Sequence, residues 1–122
     1  MTVIVKDNGF GIKNIIINEP KTYNSLSFKT LNILINIFRR LENDNKTRVI
    51  ILSGNGKGFS AGHNLKEVKN LKVRSKYLKL FNLCSKLMLN IVEGRKPVIA
   101  KVHGSAFAAG CQLAASCDLS LI

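Results

Sequence analysis

The chain has 122 residues, 46% of them apolar, and a formal net charge of +12. That length is one domain, residues 1–122, with enough apolar content to bury a core without disulfide or metal staples. The composition excludes a disordered chain, and no apolar run reaches the roughly 18–20 residues of a membrane span, so no membrane partner is expected.

Residues 2–6 (TVIVK) and 11–17 (GIKNIII) are β-branched runs on either side of Asn8-Gly9. That pattern predicts a hairpin. Residues 18–25 (NEPKTYNS) form a polar connection. Ser27 then stands where an N-cap belongs. Phe28, Leu31, Leu34, Phe38 and Leu41 follow at spacings of 3, 3, 4 and 3, which predicts a helix with one apolar face. RVIIL, residues 48–52, is a continuous apolar run suited to a buried parallel strand. A glycine-rich loop, SGNGKGFSAGHNLKEV, leads into a helical stretch over roughly 66–93. There Tyr77, Leu80, Phe81, Cys84, Leu87, Met88 and Ile91 recur at helical spacing. Pro97 opens a further strand, PVIAKVHG. SAFAAGCQLAAS reads as a tight turn into a helix, and Asp118 starts a last strand. Strands alternating with helices predict the α/β class.

The positive charge raises the question of a polyanion partner. Lys, Asn and Ile number 14, 13 and 13. All three have A/T-rich codons, so the charge reads first as genome composition. The lysines run from Lys6 to Lys101 without a dense cluster, and no aromatic residue sits among them as a base-stacking platform. No nucleic-acid partner is therefore expected. Cys84, Cys111 and Cys117 are odd in number and lack CxxC spacing, and His63 and His103 are far apart. No metal site and no resident cofactor are expected. The segment MTVIVKDNGFG has neither a basic nor a long apolar leader region, which predicts a cytoplasmic location.

Gly54, Gly56 and Gly58 follow a strand. Their spacing is GxGxG rather than GxGxxG, no acidic residue stands about 20 positions on, and GKG is not a Walker loop. The two small-residue loops say more when taken together. FSAGHNLKEV and VHGSAFAAGCQLAAS each follow a buried strand and turn into a helix. The first N–H groups of a helix have no partner within it and can point at a ligand. Two such N–H groups converging on one oxygen make an oxyanion hole.

These segments resemble the crotonase, or enoyl-CoA hydratase/isomerase, superfamily. NEPKTYNSLS is similar to that family's N-R-P-x-x-x-N-A-L-S stretch. RVIILSGNGKGFSAGHNLKEV and KPVIAKVHGSAFAAGCQLAASCDLSLI are similar to its two oxyanion-donor segments, and the N-terminal hairpin fits its opening strands. SAGHNLKE and AAGCQLAASCD are closest to the subgroup of enoyl-CoA hydratase domain-containing 3 proteins. The resemblance implies a crotonase-like spiral of ββα units, truncated before the C-terminal helices. It implies an acyl-CoA thioester as substrate or ligand. The backbone N–H groups of His63 and Ala109 would be the oxyanion donors, and His63, Asn64, Leu65 and Lys66 would line the acyl-CoA site. The His63 imidazole is not required, because the hole uses backbone. His103 and Asp118 are expected to be structural. Gln112 stands where hydratases of the family carry a Glu, and the family's second catalytic Glu has no counterpart in the chain, so catalysis is expected to be impaired. Full-length relatives form trimers or hexamers. Two alternatives stay open: a gene fragment without function, and a non-enzymatic acyl-CoA binding or interaction module.

Overall fold

A computed structural model describes residues 1–122. Strands β1 (Val3–Asp7) and β2 (Ile12–Ile17) pair antiparallel, Val3 opposite Ile17 and Asp7 opposite Lys13. The turn between them is longer than the Asn-Gly pair predicts. It spans residues 8–11, with Asn8 N–H donating to Ile12 O at 2.9 Å and Phe10 in the left-handed region at φ 56°. The Asp7 carboxylate accepts from Gly9 N–H at 2.9 Å and from Lys13 Nζ at 2.9 Å, which closes the hairpin.

Helix α1 (Phe28–Glu42) starts at Ser27, whose side chain accepts from Thr30 N–H at 3.2 Å. The predicted stripe is the buried face: Leu31, Leu34, Phe38 and Leu41 lie in the core, joined by Ile35 and Ile37, while Phe28 is only partly covered. At the other end, burial pushes the Glu42 carboxyl up, but donation from the Arg95 N–H and guanidinium outweighs it and holds the group below its ordinary value. That pair joins the end of α1 to the chain 53 residues on.

Strand β3 (Val49–Gly54) lies parallel to β2, and β4 (Val98–Lys101) and β5 (Leu119–Leu121) add in parallel, giving the order β1-β2-β3-β4-β5. Parallel neighbours need a crossover, and helices supply it. The residues between β3 and β4 form two helices, α2 (Leu65–Asn70) and α3 (Arg74–Glu93), and α4 (Ala109–Ser116) connects β4 to β5. The single stretch predicted over 66–93 is thus broken at Leu71–Val73. The α2 cap at Leu71 is extended, and so is Val73 before α3.

The helices cover one face of the sheet. Row by row, Ile15, Leu52 and Ala100 are in register and fully buried, as are Ile17 above them and the Ile50–Val98 pair below. The opposite face is only half covered. Ile51 and Ile99 are partly exposed there, so RVIIL is buried on one face and not both. α1 packs on α3 and α3 on α4.

After β3 the chain makes one isolated parallel bridge, Ser60 with Ala106, the corresponding residue after β4. After both β3 and β4 the chain therefore makes a one-residue second-layer pairing before its helix. This is the expected ββα spiral, and the second layer is where the two glycine-rich loops meet.

Candidate functional site

Two buried side chains shape the first loop. Asn24 is fully buried, and its amide group accepts from Glu19 N–H at 2.8 Å and donates to Asn55 O at 2.8 Å and Gly58 O at 2.9 Å. Ser60, also fully buried, donates to Asn24 O at 2.8 Å and accepts from Gly62 N–H at 3.2 Å. The loop is also pinned from outside: Leu26 N–H donates to Gly62 O and Ala61 N–H to Tyr23 O. The sequence places Asn24 in NEPKTYNSLS and Ser60 in FSAGHNLKEV, segments that resemble the family, and gives neither side chain a role. The only local signal was an Asn between a Pro-containing polar run and a helix cap.

The second loop is held against the first by backbone. Phe59 N–H and Ser60 N–H both donate to Ser105 O, and Phe107 N–H donates to Ser60 O at 3.0 Å. Two glycines permit this approach. Gly62 has φ +86°, and a methyl group there would stand 3.0 Å from Phe107 O and 3.1 Å from Ala109 N. A methyl on Gly110 would overlap the Ser60 carbonyl. His103 Nε2 lies 2.6 Å from Gly56 O. A carbonyl only accepts, so this nitrogen carries the proton, and His103 acts as a tie between the loops.

The backbone N–H of His63 and that of Ala109 donate no hydrogen bond within the chain. Ala109 opens α4 and is buried, and the residue before it, Ala108, holds φ 48° and ψ −118°. That conformation favours glycine and costs roughly 1–3 kcal/mol for a residue with a Cβ. It turns the chain abruptly into α4, where Gly110 and Gln112 N–H already have partners in Phe107 O and Ala108 O while Ala109 N–H has none. Two unpartnered donors thus sit in loops that touch at Gly62.

The other predicted site residues gather at one opening. His63, Asn64, Leu65 and Lys66, with Lys21, Thr22, Tyr23, Ser25 and Ala61, line a cleft of about 360 Å³. Leu65 is 82% exposed at its rim. Asn64 has a second task that sequence reasoning did not foresee. Its side chain caps α2 by accepting from Lys66 N–H at 3.0 Å and Glu67 N–H at 3.2 Å. The His63 ring stands edge-on to Phe81, centroids 5.3 Å apart, with Nδ1 buried and without a partner. Ala109 and Gln112 are not part of this cleft lining. Gln112 is exposed on the first turn of α4.

Carboxylates and thiols near the site are engaged elsewhere. Glu67 accepts from Phe28 N–H at 3.0 Å, and Asp118 accepts from Val98 N–H at 2.8 Å. Burial and the neighbouring Asp118 push the Cys117 thiol up to about 12, and burial raises Cys84. Both stay protonated near neutral pH and are poor nucleophiles. No group of three His, Cys, Asp or Glu side chains is placed to hold a metal ion.

Residues 7–122 match the family model described as enoyl-CoA hydratase/isomerase. The enoyl-CoA hydratase domain-containing protein 3, mitochondrial, of Homo sapiens is 43% identical over 111 residues, covering 91% of this chain and 37% of that protein. The protein of that name from Xenopus laevis is 41% identical over 121 residues, covering 99% and 40%. Among solved structures, an enoyl-CoA hydratase of Mycobacterium smegmatis superposes with a TM-score of 0.96 at 41% identity, covering 98% of this chain and 47% of that one. The human domain-containing protein 3 superposes with a TM-score of 0.92 at 40% identity, with the same coverage. The chain spans about two-fifths of the length of the relatives it matches, and just under half of these solved chains. The expectation of a cytoplasmic location is overturned: the human and Xenopus relatives are mitochondrial by name. It rested on a leader segment not being seen in the first residues. In a chain that spans so small a share of its relatives, that carries no information about location.

Proposed function

The chain belongs to the enoyl-CoA hydratase/isomerase family, and from that premise we propose that it binds acyl-CoA thioesters without hydrating them. The observation that carries this reading is the pair of free backbone donors, His63 N–H and Ala109 N–H, in loops packed against each other. A thioester carbonyl oxygen between them would accept both hydrogen bonds. The same donors would stabilise an enolate oxygen, and each such donor is worth about 2.7–4 kcal/mol to a developing oxyanion. The cleft at His63, Asn64, Leu65 and Lys66 would take the chain on the carbonyl's flank, with Leu65 as its apolar contact. Lys21 and Lys66 on the same cleft supply positive charge for the phosphates at the nucleotide end of CoA.

Catalytic impairment is the second part of the proposal. Gln112 is a neutral amide on the α4 turn that starts at Ala109. It can orient a water molecule but cannot take its proton near neutral pH. Glu67 and Asp118 are committed to backbone N–H groups and do not replace it.

Calorimetric titration of the chain with crotonyl-CoA and with free CoA tests binding. The thioester is expected to bind more tightly than free CoA, because only it presents the carbonyl oxygen. Both affinities are expected to fall with added salt, since a chain of +12 attracts phosphate over distances that salt screens. Equal affinity for the two ligands would contradict the role of the two donors.

A further inference from the structure

We infer that Phe81 is a positioning residue for the first donor: its ring holds the His63 imidazole away from the backbone N–H of the same residue and so keeps that N–H free for a thioester oxygen. The consequence for ligand rests on the thioester reading of this site; the clamp itself does not.

Two complementary groups on His63 fail to meet. Its backbone N–H donates to nothing in the chain, and Nδ1 of its side chain is buried without a partner. With the ring proton on Nε2, Nδ1 is an acceptor. It stands as many bonds from the backbone nitrogen as the side-chain oxygen of Asn or Asp, which can reach its own N–H. Buried polar groups find partners with few exceptions, and each exception calls for a cause. Closing this contact would satisfy both groups at once. It would also withdraw the donor from the cleft that His63 lines.

Phe81 supplies the cause. The two rings stand edge-on, centroids 5.3 Å apart and planes at 78°, an arrangement that aromatic pairs prefer. The helix under Phe81 is anchored: Leu80 and Cys84 beside it are buried, and α3 packs on α1 and α4. Helical spacing groups Phe81 with that buried stripe, but it is 46% exposed and its ring meets His63 instead. Polar side chains of the first loop are committed elsewhere. Asn64 caps α2, and Ser60 bonds Asn24 O and Gly62 N–H. Leu26 N–H already holds Gly62 O, so the backbone before His63 is fixed and what Phe81 adds is control of the side chain.

The experiment compares the parent 122-residue chain with Phe81→Ala, Phe81→Leu and Phe81→Tyr, and places Phe81→Ala also in a His63→Leu background. Phe81 is half-exposed, so the variants are expected to keep the parent's circular dichroism spectrum. The first readout needs no ligand. Phe81→Ala is expected to slow solvent exchange of the His63 amide about fivefold, the worth of one neutral hydrogen bond. Phe81→Leu is expected to slow it too, while Phe81→Tyr, which keeps the ring, stays within about twofold of the parent. The second readout is the preference for crotonyl-CoA over free CoA by calorimetric titration. Phe81→Ala is expected to lower it about fivefold, since the new contact must break before ligand is bound. In the His63→Leu background there is no Nδ1, and the same substitution is expected to change the preference by less than about twofold. Exchange at the parent's rate in both Phe81→Ala and Phe81→Leu, or an equal loss of preference in both backgrounds, would overturn the proposal. A parent that does not distinguish crotonyl-CoA from CoA would overturn the thioester reading instead, and the ligand-free exchange rates would still decide the clamp.

Discussion

Crotonyl-CoA mixed with the chain is expected to keep its enoyl absorbance, and Gln112→Glu is expected to keep it as well. Hydration of an enoyl thioester needs an oxyanion hole, a base for the water and an acid that delivers a proton to the α-carbon. In the proposed reading, the His63 and Ala109 N–H groups address the first need only. General acid–base groups contribute about 10²–10⁴-fold each, so a chain that presents neither at the site is expected to show no turnover in an ordinary assay. Gln112→Glu restores one carboxylate on α4. The acidic residues nearest in sequence to the two loops, Glu67 and Asp118, hold the N–H groups of Phe28 and Val98 and stay there. Loss of absorbance is the measurement. Turnover by the parent chain at rates typical of enzymes would show that the carboxylates are not needed. Turnover in Gln112→Glu alone would show that one is enough.

Asn24→Ala is expected to lower stability by about 3 kcal/mol and to open the first loop. The substitution removes three hydrogen bonds, leaving Glu19 N–H, Asn55 O and Gly58 O without their partner. An orphaned buried group costs about 1–3 kcal/mol, and Gly58 O is the one water reaches least. Asn24 also sits in the left-handed region at φ 55°, which Asn tolerates better than Ala. For a domain of this size the fall in Tm is expected to be roughly 10–20 °C. Thermal melts of the two proteins check it, and a shift under about 3 °C would show that the network is not what holds the loop.

The features that were legible in the sequence are the local ones. Ser27 and the stripe Leu31, Leu34, Phe38 and Leu41 predicted α1 with its cap, since capping and periodicity are written within a few residues. The break between α2 and α3 was not legible. No Gly or Pro marks residues 71–73, and the apolar spacing runs through them. Nor does helical spacing separate a buried stripe from an exposed one beside it: Phe81 recurs with Leu80 and Cys84 in the sequence and is exposed in the fold. At the site, the two small-residue loops were legible as strand-to-helix turns, and the family resemblance implied His63 and Ala109 as the donors. The Asn24 and Ser60 network was not legible, because three of its five side-chain hydrogen bonds join residues more than 30 positions apart. Asn64 was assigned to ligand contact alone, while the fold uses its side chain as a helix cap.

The central claim is that His63 N–H and Ala109 N–H receive one thioester oxygen. Backbone amide spectra of ¹⁵N-labelled chain, titrated with crotonyl-CoA and in parallel with free CoA, test it most directly. Hydrogen bonding to a carbonyl shifts a donor's own proton resonance. The account predicts that the His63 and Ala109 amides are among the largest movers with crotonyl-CoA and move little with free CoA. The same shifts with both ligands, or thioester shifts that leave His63 and Ala109 in place, would contradict it.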